Sequence, residues 1–335
     1  MAIPPSRKMT DEQLRAAQLE IDDPMSLPNL RSGPPDQALT PEIVGEYHLA
    51  DAELGVRCCH CPTKQKHQNG FAITNATGNV YLIGSTCGPT HYNLSFTQAK
   101  RQHSERVKRK NILTRIDLIC ACAQLIKDAC SRILASDGLR EVDLRRIALK
   151  RASGDAFFRL KAHVINGSPL TQSVRVRDYE AERQRDEFRD DDKPGEPIFK
   201  MEPRSLGSIS GDEILKENGD CRDNVMALKR AIEAVELLAR DTNTCSLTAL
   251  TNAARAVESA YSSAQSAIVS AEAAPSFFGQ DNISRLAAWS ADYRDFRFLF
   301  GQDGLIVDDK KEGRLLINQI PPFRLERLPA LSNPA

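Results

Sequence analysis

The sequence predicts a mainly α-helical protein that also contains a small cysteine-rich module and a C-terminal β-hairpin. Three observations predict this fold class. In three long segments apolar residues recur at alternating steps of four and three, which is typical of helices that pack along one face. Seven Cys and His side chains lie between residues 58 and 91. Short β-type runs flank turn-forming residues in that module and again near the C-terminus.

The helical body is predicted from the apolar spacing. One long helix should run from Ser95 to about residue 134, with a further helix over 140–165. Two more helices are joined by the short segment 241–245 and should fold back as an antiparallel hairpin. We favour packing within one chain over a coiled coil between chains, because about three to four heptads is short for a free coiled coil. The apolar faces consist of Ile112, Ile116, Ile119, Ala123, Ile126, Cys130 and Ile133, then Cys221, Val225, Leu228, Ile232, Val235 and Ala239, then Leu250, Ala254, Val257, Tyr261, Ala264 and Ile268.

The two β-hairpins are predicted from short apolar runs. The first hairpin should join residues 71–74 to residues 80–83. The second should join residues 305–307 to residues 314–317.

Composition divides the chain into six predicted segments. The first is a flexible Pro-rich arm with one short helix after the capping box at Thr10. The second begins with a helix at Thr40-Pro41, because Pro is favoured at the first helical position. The segments are 1–40, the arm; 41–93, the cysteine-rich module with its preceding helix; 94–180, the long basic helix and a helical segment; 181–211, a charged Pro-containing linker; 212–275, the helical hairpin; and 276–335, a C-terminal helix, β-hairpin and tail.

Charge is distributed unevenly although the net charge is zero. Residues 1–56 carry four Lys/Arg and ten Asp/Glu, whereas residues 57–115 carry ten Lys/Arg and one acidic residue, Glu105. A basic block of this kind attracts phosphates or an acidic protein surface, and the chain's own acidic N-terminal region is such a surface.

Membrane and secreted classes fit the sequence poorly. No apolar run approaches the roughly 18–20 residues that span a bilayer, and the first residues lack the apolar stretch of a secretory signal. Nine cysteines, an odd number, suit reduced thiols better than a disulfide framework. We therefore expect a cytoplasmic protein. The dispersed Cys120, Cys122, Cys130, Cys221 and Cys245 should be core residues.

One constellation carries recognisable chemistry. Cys58-x-x-Cys61 and Cys87-x-x-x-His91 form two pairs of thiolate and imidazole ligands, which are the donors that Zn²⁺ prefers in a tetrahedral site. On a helix the second pair would lie on one face, one turn apart. The sequence therefore predicts one structural Zn²⁺ held by Cys58, Cys61, Cys87 and His91.

The order of Cys-x-x-Cys turn, β-hairpin and short helix resembles the treble-clef group of zinc fingers. The resemblance covers residues 58–92, about a tenth of the chain. It implies a small treble-clef-like zinc finger joined to the helical body. Separately, four protein ligands would close the metal shell and leave no open position for water, so we expect a structural site. Thr63 stands where this group often has Gly, and Pro89 lies between the second ligand pair.

The ligand set is not unique from the residues alone. Cys59 could replace Cys58, and His60 or His67 could replace His91. A nuclease site built from His67, Asn75 and His91 is a remote alternative, because no Asp or Glu lies between Arg57 and Lys100 to hold a hard metal. We do not expect an enzyme.

The basic start of the long helix is the second candidate site. Its cations could track a nucleic-acid backbone, with Tyr81, Tyr92 and Phe96 either stacking on bases or filling the module's core. One candidate function is therefore DNA or RNA binding, with the heptad helices mediating assembly. The alternative is a protein-interaction scaffold in which the zinc module only stabilises the helical body. The candidate nucleic-acid contacts are Lys100, Arg101, Arg106, Lys108, Arg109 and Lys110.

Overall fold

The structure is a computed structural model of the 335-residue chain. It describes residues 9–34, 40–50, 55–61, 65–74, 78–187, 195–216 and 219–331. The chain forms two compact units, Met1–Ala121 with Val235–Ala254, and Cys122–Ala234 with Arg255–Ala335.

The first unit is built around a three-stranded antiparallel sheet of order β1-β4-β5. A two-stranded pair, β2 with β3, carries the turn that contains the first cysteines. The start of a long helix, α2, follows the last strand. The elements are α1 Asp11–Ala16, β1 Glu42–His48, β2 Val56–Arg57, β3 Lys66–His67, β4 Asn69–Thr74, β5 Val80–Gly84 and α2 Cys87–Leu134.

Each face of this sheet packs on a different partner. One face contributes Phe71, Ile73 and Ile83 to a core that contains Phe96 of α2 and Cys58. The other face contributes residues to a second core with Val56 and Ile21 of the N-terminal segment, namely Tyr47, Ala72 and Leu82. The sheet therefore holds the cysteine turn, the N-terminal segment and the helix start together.

The long helix is interrupted close to its start. Asn93 has φ 47° and ψ −126°, which breaks the helical hydrogen bonding between the turn at Cys87 and the straight part that follows. The long helix was expected to begin at Ser95. The break lies two residues earlier, and the Ser95 hydroxyl donates to the Tyr92 carbonyl at 2.6 Å.

The second unit combines helices with two antiparallel sheets. One sheet has order β8-β9-β10, and the other is the two-stranded ribbon β6–β7. The elements are α3 Asp137–Ala152, α4 Gly154–Ile165, β6 Leu170–Arg177, α5 Tyr179–Glu187, β7 Phe199–Gly207, α6 Glu213–Lys216, α7 Cys221–Ala239, α8 Leu247–Phe277, α9 Gln280–Ser290, β8 Phe296–Gly301, β9 Gly304–Asp309 and β10 Gly313–Asn318. Three helices, α2, α7 and α8, contribute residues to both units.

The heptad faces are buried as predicted. The seven predicted face positions from Ile112 to Ile133 are each at most 5% exposed. In the other two helices the predicted face positions are also buried, with the exceptions of Tyr261 and Ala239. Ala239 is half-buried. These apolar faces are therefore covered within the single chain.

Several predicted elements are corrected by the structure. The helix expected at Thr40-Pro41 is strand β1, whose buried residues alternate as they do in a half-buried strand. The linker expected over 181–211 includes helix α5 and the nine-residue strand β7. The C-terminal hairpin has a third strand, β8, which the sequence analysis missed.

The N-terminal segment expected to be a flexible arm has ordered structure between residues 9 and 34. The predicted capping box is confirmed, since Thr10 accepts a hydrogen bond from the Gln13 N–H and the Gln13 side chain accepts one from the Thr10 N–H. The Ile21 N–H then donates to the Glu46 carbonyl at 2.9 Å. Among the described residues, no helix is both long enough and apolar enough to cross a bilayer.

Candidate metal centre

The first cysteines lie in the turn between β2 and β3. The Cys58 N–H donates to the Gln65 carbonyl at 3.1 Å, and the Cys59 N–H donates to the Leu82 carbonyl of β5 at 3.0 Å. These two bonds hold the turn against the end of the hairpin. Strand β5 ends at Gly84 and α2 begins at Cys87. The bend between them brings Cys87 next to Cys58 and Cys61 of the turn.

Three cysteine sulfurs meet at this point. The Sγ atoms of Cys58, Cys61 and Cys87 all lie within 4.8 Å of one another, and those of Cys61 and Cys87 are 3.1 Å apart. Sulfurs bound to one tetrahedral Zn²⁺ are separated by about 3.8 Å, given a Zn–S distance near 2.3 Å. The cluster therefore has the donor type that such an ion prefers, and the Cys61–Cys87 separation is shorter than a bound ion would set.

The electrostatics of the cluster favour a cation. The pKa of Cys58 is well below its usual range, first because the Cys59 thiol donates a hydrogen bond to its sulfur, and also because backbone N–H groups of His60 and Gly84 point at it. Burial, together with the adjacent sulfurs of Cys61 and Cys58, raises the pKa of Cys87 to about 12. A divalent cation would supply the opposite charge that allows neighbouring thiols to ionise together.

The predicted fourth ligand, His91, lies outside this group. Among the described residues, the cluster whose ligand atoms all lie within 4.8 Å contains three cysteines and no histidine. The His91 ring stacks on the His60 ring with centroids 4.1 Å apart and planes 14° apart. The Nε2 atom of His60 is 3.1 Å from the Tyr92 hydroxyl.

The remaining histidine of the module, His67, lies on β3. Its Nδ1 is 3.1 Å from the Tyr47 hydroxyl, and its Nε2 is buried without a hydrogen-bond partner in the part of the chain that the structure describes. Asn75, the second residue of the nuclease alternative, lies outside the described residues.

Three of the six predicted nucleic-acid contacts are used inside the first unit. Arg106 donates to the Ile43 carbonyl at 2.9 Å and to the Glu42 carboxylate at 3.1 Å. Arg109 binds the buried Asp11 carboxylate, and the Lys110 ammonium donates to the Ala17 carbonyl. Part of the basic block therefore neutralises the acidic N-terminal region or satisfies backbone carbonyls.

The other three predicted contacts are exposed. The Lys100 ammonium lies 5.4 Å from the centre of the Phe71 ring, and Arg101 forms an exposed ion pair with Glu105 at 3.3 Å. Lys108 is exposed on the same helix. Tyr81, Tyr92 and Phe96 were considered either for base stacking or for the core of the module. They are core residues, since each is at most 9% exposed.

Sequence reasoning missed two pairings in this unit. Asp11 and Arg109 are far apart in sequence, and the charge imbalance between the segments indicated only that some such contact should form. The Tyr47–His67 pair depends on the register of β1 against β4. Its sequence signal is the alternation of Ile43, Gly45 and Tyr47, which are the buried residues of β1.

No protein-family model, curated protein or solved structure matches this chain. Its function is therefore inferred from the site itself.

Proposed function

We propose that this chain is a non-catalytic zinc-binding protein in which Cys58, Cys61 and Cys87 bind one structural Zn²⁺. The observation that carries the proposal is the meeting of three sulfurs from two separate elements within 4.8 Å. Bound there, the ion would join the cysteine turn to the start of α2 and so stabilise the treble-clef-like module on its sheet.

The surrounding contacts favour a stabilising role over direct nucleic-acid binding. Arg106, Arg109 and Lys110 already have carboxylate or carbonyl partners. These contacts fix the basic helix to β1 and to the N-terminal segment. We therefore prefer the scaffold function, in which the zinc module supports the helical body that presents surfaces to a protein partner.

Elemental analysis of the purified chain tests the metal proposal. We expect about one zinc ion per chain, and loss of that zinc in Cys61→Ser and Cys87→Ser. Cys120→Ser is the matched control, because Cys120 is a half-buried cysteine on the same helix as Cys87, and its zinc content should equal that of the wild type. A wild-type chain that neither carries zinc nor takes it up on titration would refute the proposal.

Binding to DNA or RNA through backbone charge is the second proposal. It is supported by the exposure of Lys100, Arg101 and Lys108 within little more than two turns of α2. If it holds, replacing these three with Ala should weaken binding to generic nucleic acid and reduce the slope of log affinity against log salt by about one per lost phosphate contact. The control variant replaces the exposed Lys310 and Lys311 of the second unit. Equal binding by both variants would rule the proposal out.

A further inference from the structure

The metal site has three sulfurs, and its fourth ligand can be inferred from the residues around Cys58. The geometry points to His67: we propose that Nε2 of His67, and not His91, completes the coordination of the Zn²⁺ bound by Cys58, Cys61 and Cys87. This inference rests on the proposed zinc site, and it changes which part of the chain closes that site.

The first observation is a row of three paired residues across the sheet. Tyr47 of β1 pairs with Gly70 of β4, and Gly70 pairs with Gly84 of β5. Directly paired residues project to the same face, so the Tyr47 ring lies over a strip of sheet that carries no side chains. A Cβ on Gly70 would collide with the Tyr47 hydroxyl and would lie 2.5 Å from the Ile83 carbonyl oxygen.

The second observation is that His67 occupies the other end of this strip. A Cβ on Gly84 would lie 3.2 Å from Cδ2 of the His67 ring. The Tyr47 and His67 rings stack with centroids 5.8 Å apart. The two glycines thus provide the space in which the tyrosine positions the imidazole.

The third observation concerns the two ring nitrogens. Nδ1 of His67 is engaged by the Tyr47 hydroxyl at 3.1 Å, whereas Nε2 is buried and has no hydrogen-bond partner among the described residues. Burying a polar atom without a partner is costly. A histidine that binds a metal through Nε2 carries its proton on Nδ1, and Nδ1 then donates to a neighbouring acceptor. The Tyr47 oxygen is placed to be that acceptor.

The fourth observation is that His67 adjoins the sulfur cluster. The His67 side chain and the Gly84 N–H both lie close enough to the Cys58 sulfur to lower the pKa of that thiol. His67 does not lie within 4.8 Å of all three sulfurs, so ligation requires the ring to move toward Cys61 and Cys87. The strand that carries it, β3, is only two residues long.

His91 lacks these features. Its ring is stacked on His60, and His60 in turn lies at 3.1 Å from the Tyr92 hydroxyl. Both rings are stacked, His91 on His60 and His67 on Tyr47, but His67 alone of the two has a buried ring nitrogen without a hydrogen-bond partner among the described residues, and the metal would be that partner.

The test uses the full chain loaded with ¹¹³Cd²⁺, whose couplings to ligand protons identify each coordinating side chain by NMR. We expect correlations to the Cβ protons of Cys58, Cys61 and Cys87 and to the ring protons of His67. Correlations to His91 or His60 instead, or to the three cysteines alone, would overturn the inference and leave the zinc site intact. Failure of the wild-type chain to bind the ion would instead refute the proposed function itself.

A matched pair of variants tests the inference without removing a ligand, so that a folding defect of His67→Ala does not decide the outcome. Tyr47→Phe removes the hydroxyl next to His67, and Tyr92→Phe removes the one next to His60. Loss of an outer partner of a metal-binding histidine weakens metal affinity by about 10–100-fold. We expect that loss of Zn²⁺ affinity in Tyr47→Phe and none in Tyr92→Phe. The reverse result, or equal affinities in the two variants, would overturn the assignment of His67.

Discussion

Arg109 and Asp11 form a two-point ion pair in the first unit. Nε of Arg109 lies 2.5 Å from one carboxylate oxygen of Asp11, and Nη2 lies 2.8 Å from the other. The Asp11 side chain is only 2% exposed. Burial raises the pKa of Asp11, but hydrogen bonds from Arg109 and Thr242 outweigh burial and hold that pKa below its usual value. The same guanidinium donates to the carbonyls of Thr242 and Cys245.

Replacing Arg109 with Ala should therefore destabilise the protein. The change leaves a buried carboxylate without its ion-pair partner and removes one donor from each of two carbonyls, which costs about 3 kcal/mol. Urea unfolding, followed by circular dichroism, measures the loss.

The neighbouring Lys108 provides the control. Lys108→Ala removes the same charge from an exposed position on the same helix and should change stability by less than about 0.5 kcal/mol. Equal stability of the two variants would show that the Arg109–Asp11 pair contributes little.

His103 should make the protein sensitive to mild acid. It is 2% exposed, and neither ring nitrogen has a hydrogen-bond partner in the described part of the chain. Burial, reinforced by the nearby positive charge of Arg106, lowers the pKa of His103 to about 4. Between pH 6.5 and 4 the folded chain therefore binds fewer protons at this site than the unfolded chain. Stability should fall as the pH falls through this window, by about 3 kcal/mol in total.

The variant His103→Leu tests this origin of the pH dependence. It removes two unpartnered buried nitrogens, so the free energy of unfolding should rise. The slope of that free energy against pH should flatten between pH 6.5 and 4. Replacing Ser104, an exposed neighbour on the same helix that does not titrate, with Ala should leave the slope unchanged. The expectation fails if the His103 variant retains the wild-type slope in denaturant titrations.

Removing the proposed zinc ion with a chelator should destabilise the sheet and the start of α2. Because the ion would join the cysteine turn to the start of α2, we expect faster amide hydrogen exchange in β4, β5 and residues 87–92. Strands β8 to β10 of the second unit serve as the internal reference and should keep their exchange rates. Unchanged exchange in β4 and β5 after metal removal would show that the ion does not stabilise the sheet.

The break at Asn93 should be relieved by glycine. A φ of 47° with a ψ of −126° lies in a region that glycine adopts without strain and other residues do not. Asn93→Gly should raise the free energy of unfolding by about 1 kcal/mol, measured by urea titration. Asn166→Gly is the control, since Asn166 has a φ of −79° and gains nothing from the change. A destabilised Asn93→Gly chain would mean that the asparagine side chain itself is needed.

The helical part of the fold was predictable because its signal is local. Ile116, Ala123 and Cys130 repeat on one face whatever the rest of the chain does, and all three are buried. The hairpin from β4 to β5 and the convergence of Cys58, Cys61 and Cys87 were also predictable, since a turn, a hairpin and a helix start bring the cysteines together over 30 residues.

The strands whose identity depends on a partner were not predictable. Pro41 is compatible with the first turn of a helix, and only the alternation of Ile43, Gly45 and Tyr47 indicates a strand. Strand β7 has no buried residue, so no apolar pattern marks it in the sequence. It forms because its backbone pairs with that of β6 along the whole strand. The sequence named His67 only as an alternative to His91, because the surroundings of its ring follow from the pairing of β1, β4 and β5 and not from local spacing.

The row Tyr47–Gly70–Gly84 has a consequence for how this module can vary. Neither glycine adopts a positive φ in the structure, so what matters at each position is the volume that the missing methyl group leaves free. Exhaustive substitution should therefore find Gly70, which faces a backbone carbonyl at 2.5 Å, nearly as intolerant as the three cysteines, although it would bind nothing. Alanine at Gly84 would meet only the His67 ring at 3.2 Å and should be accepted with a small shift of that ring.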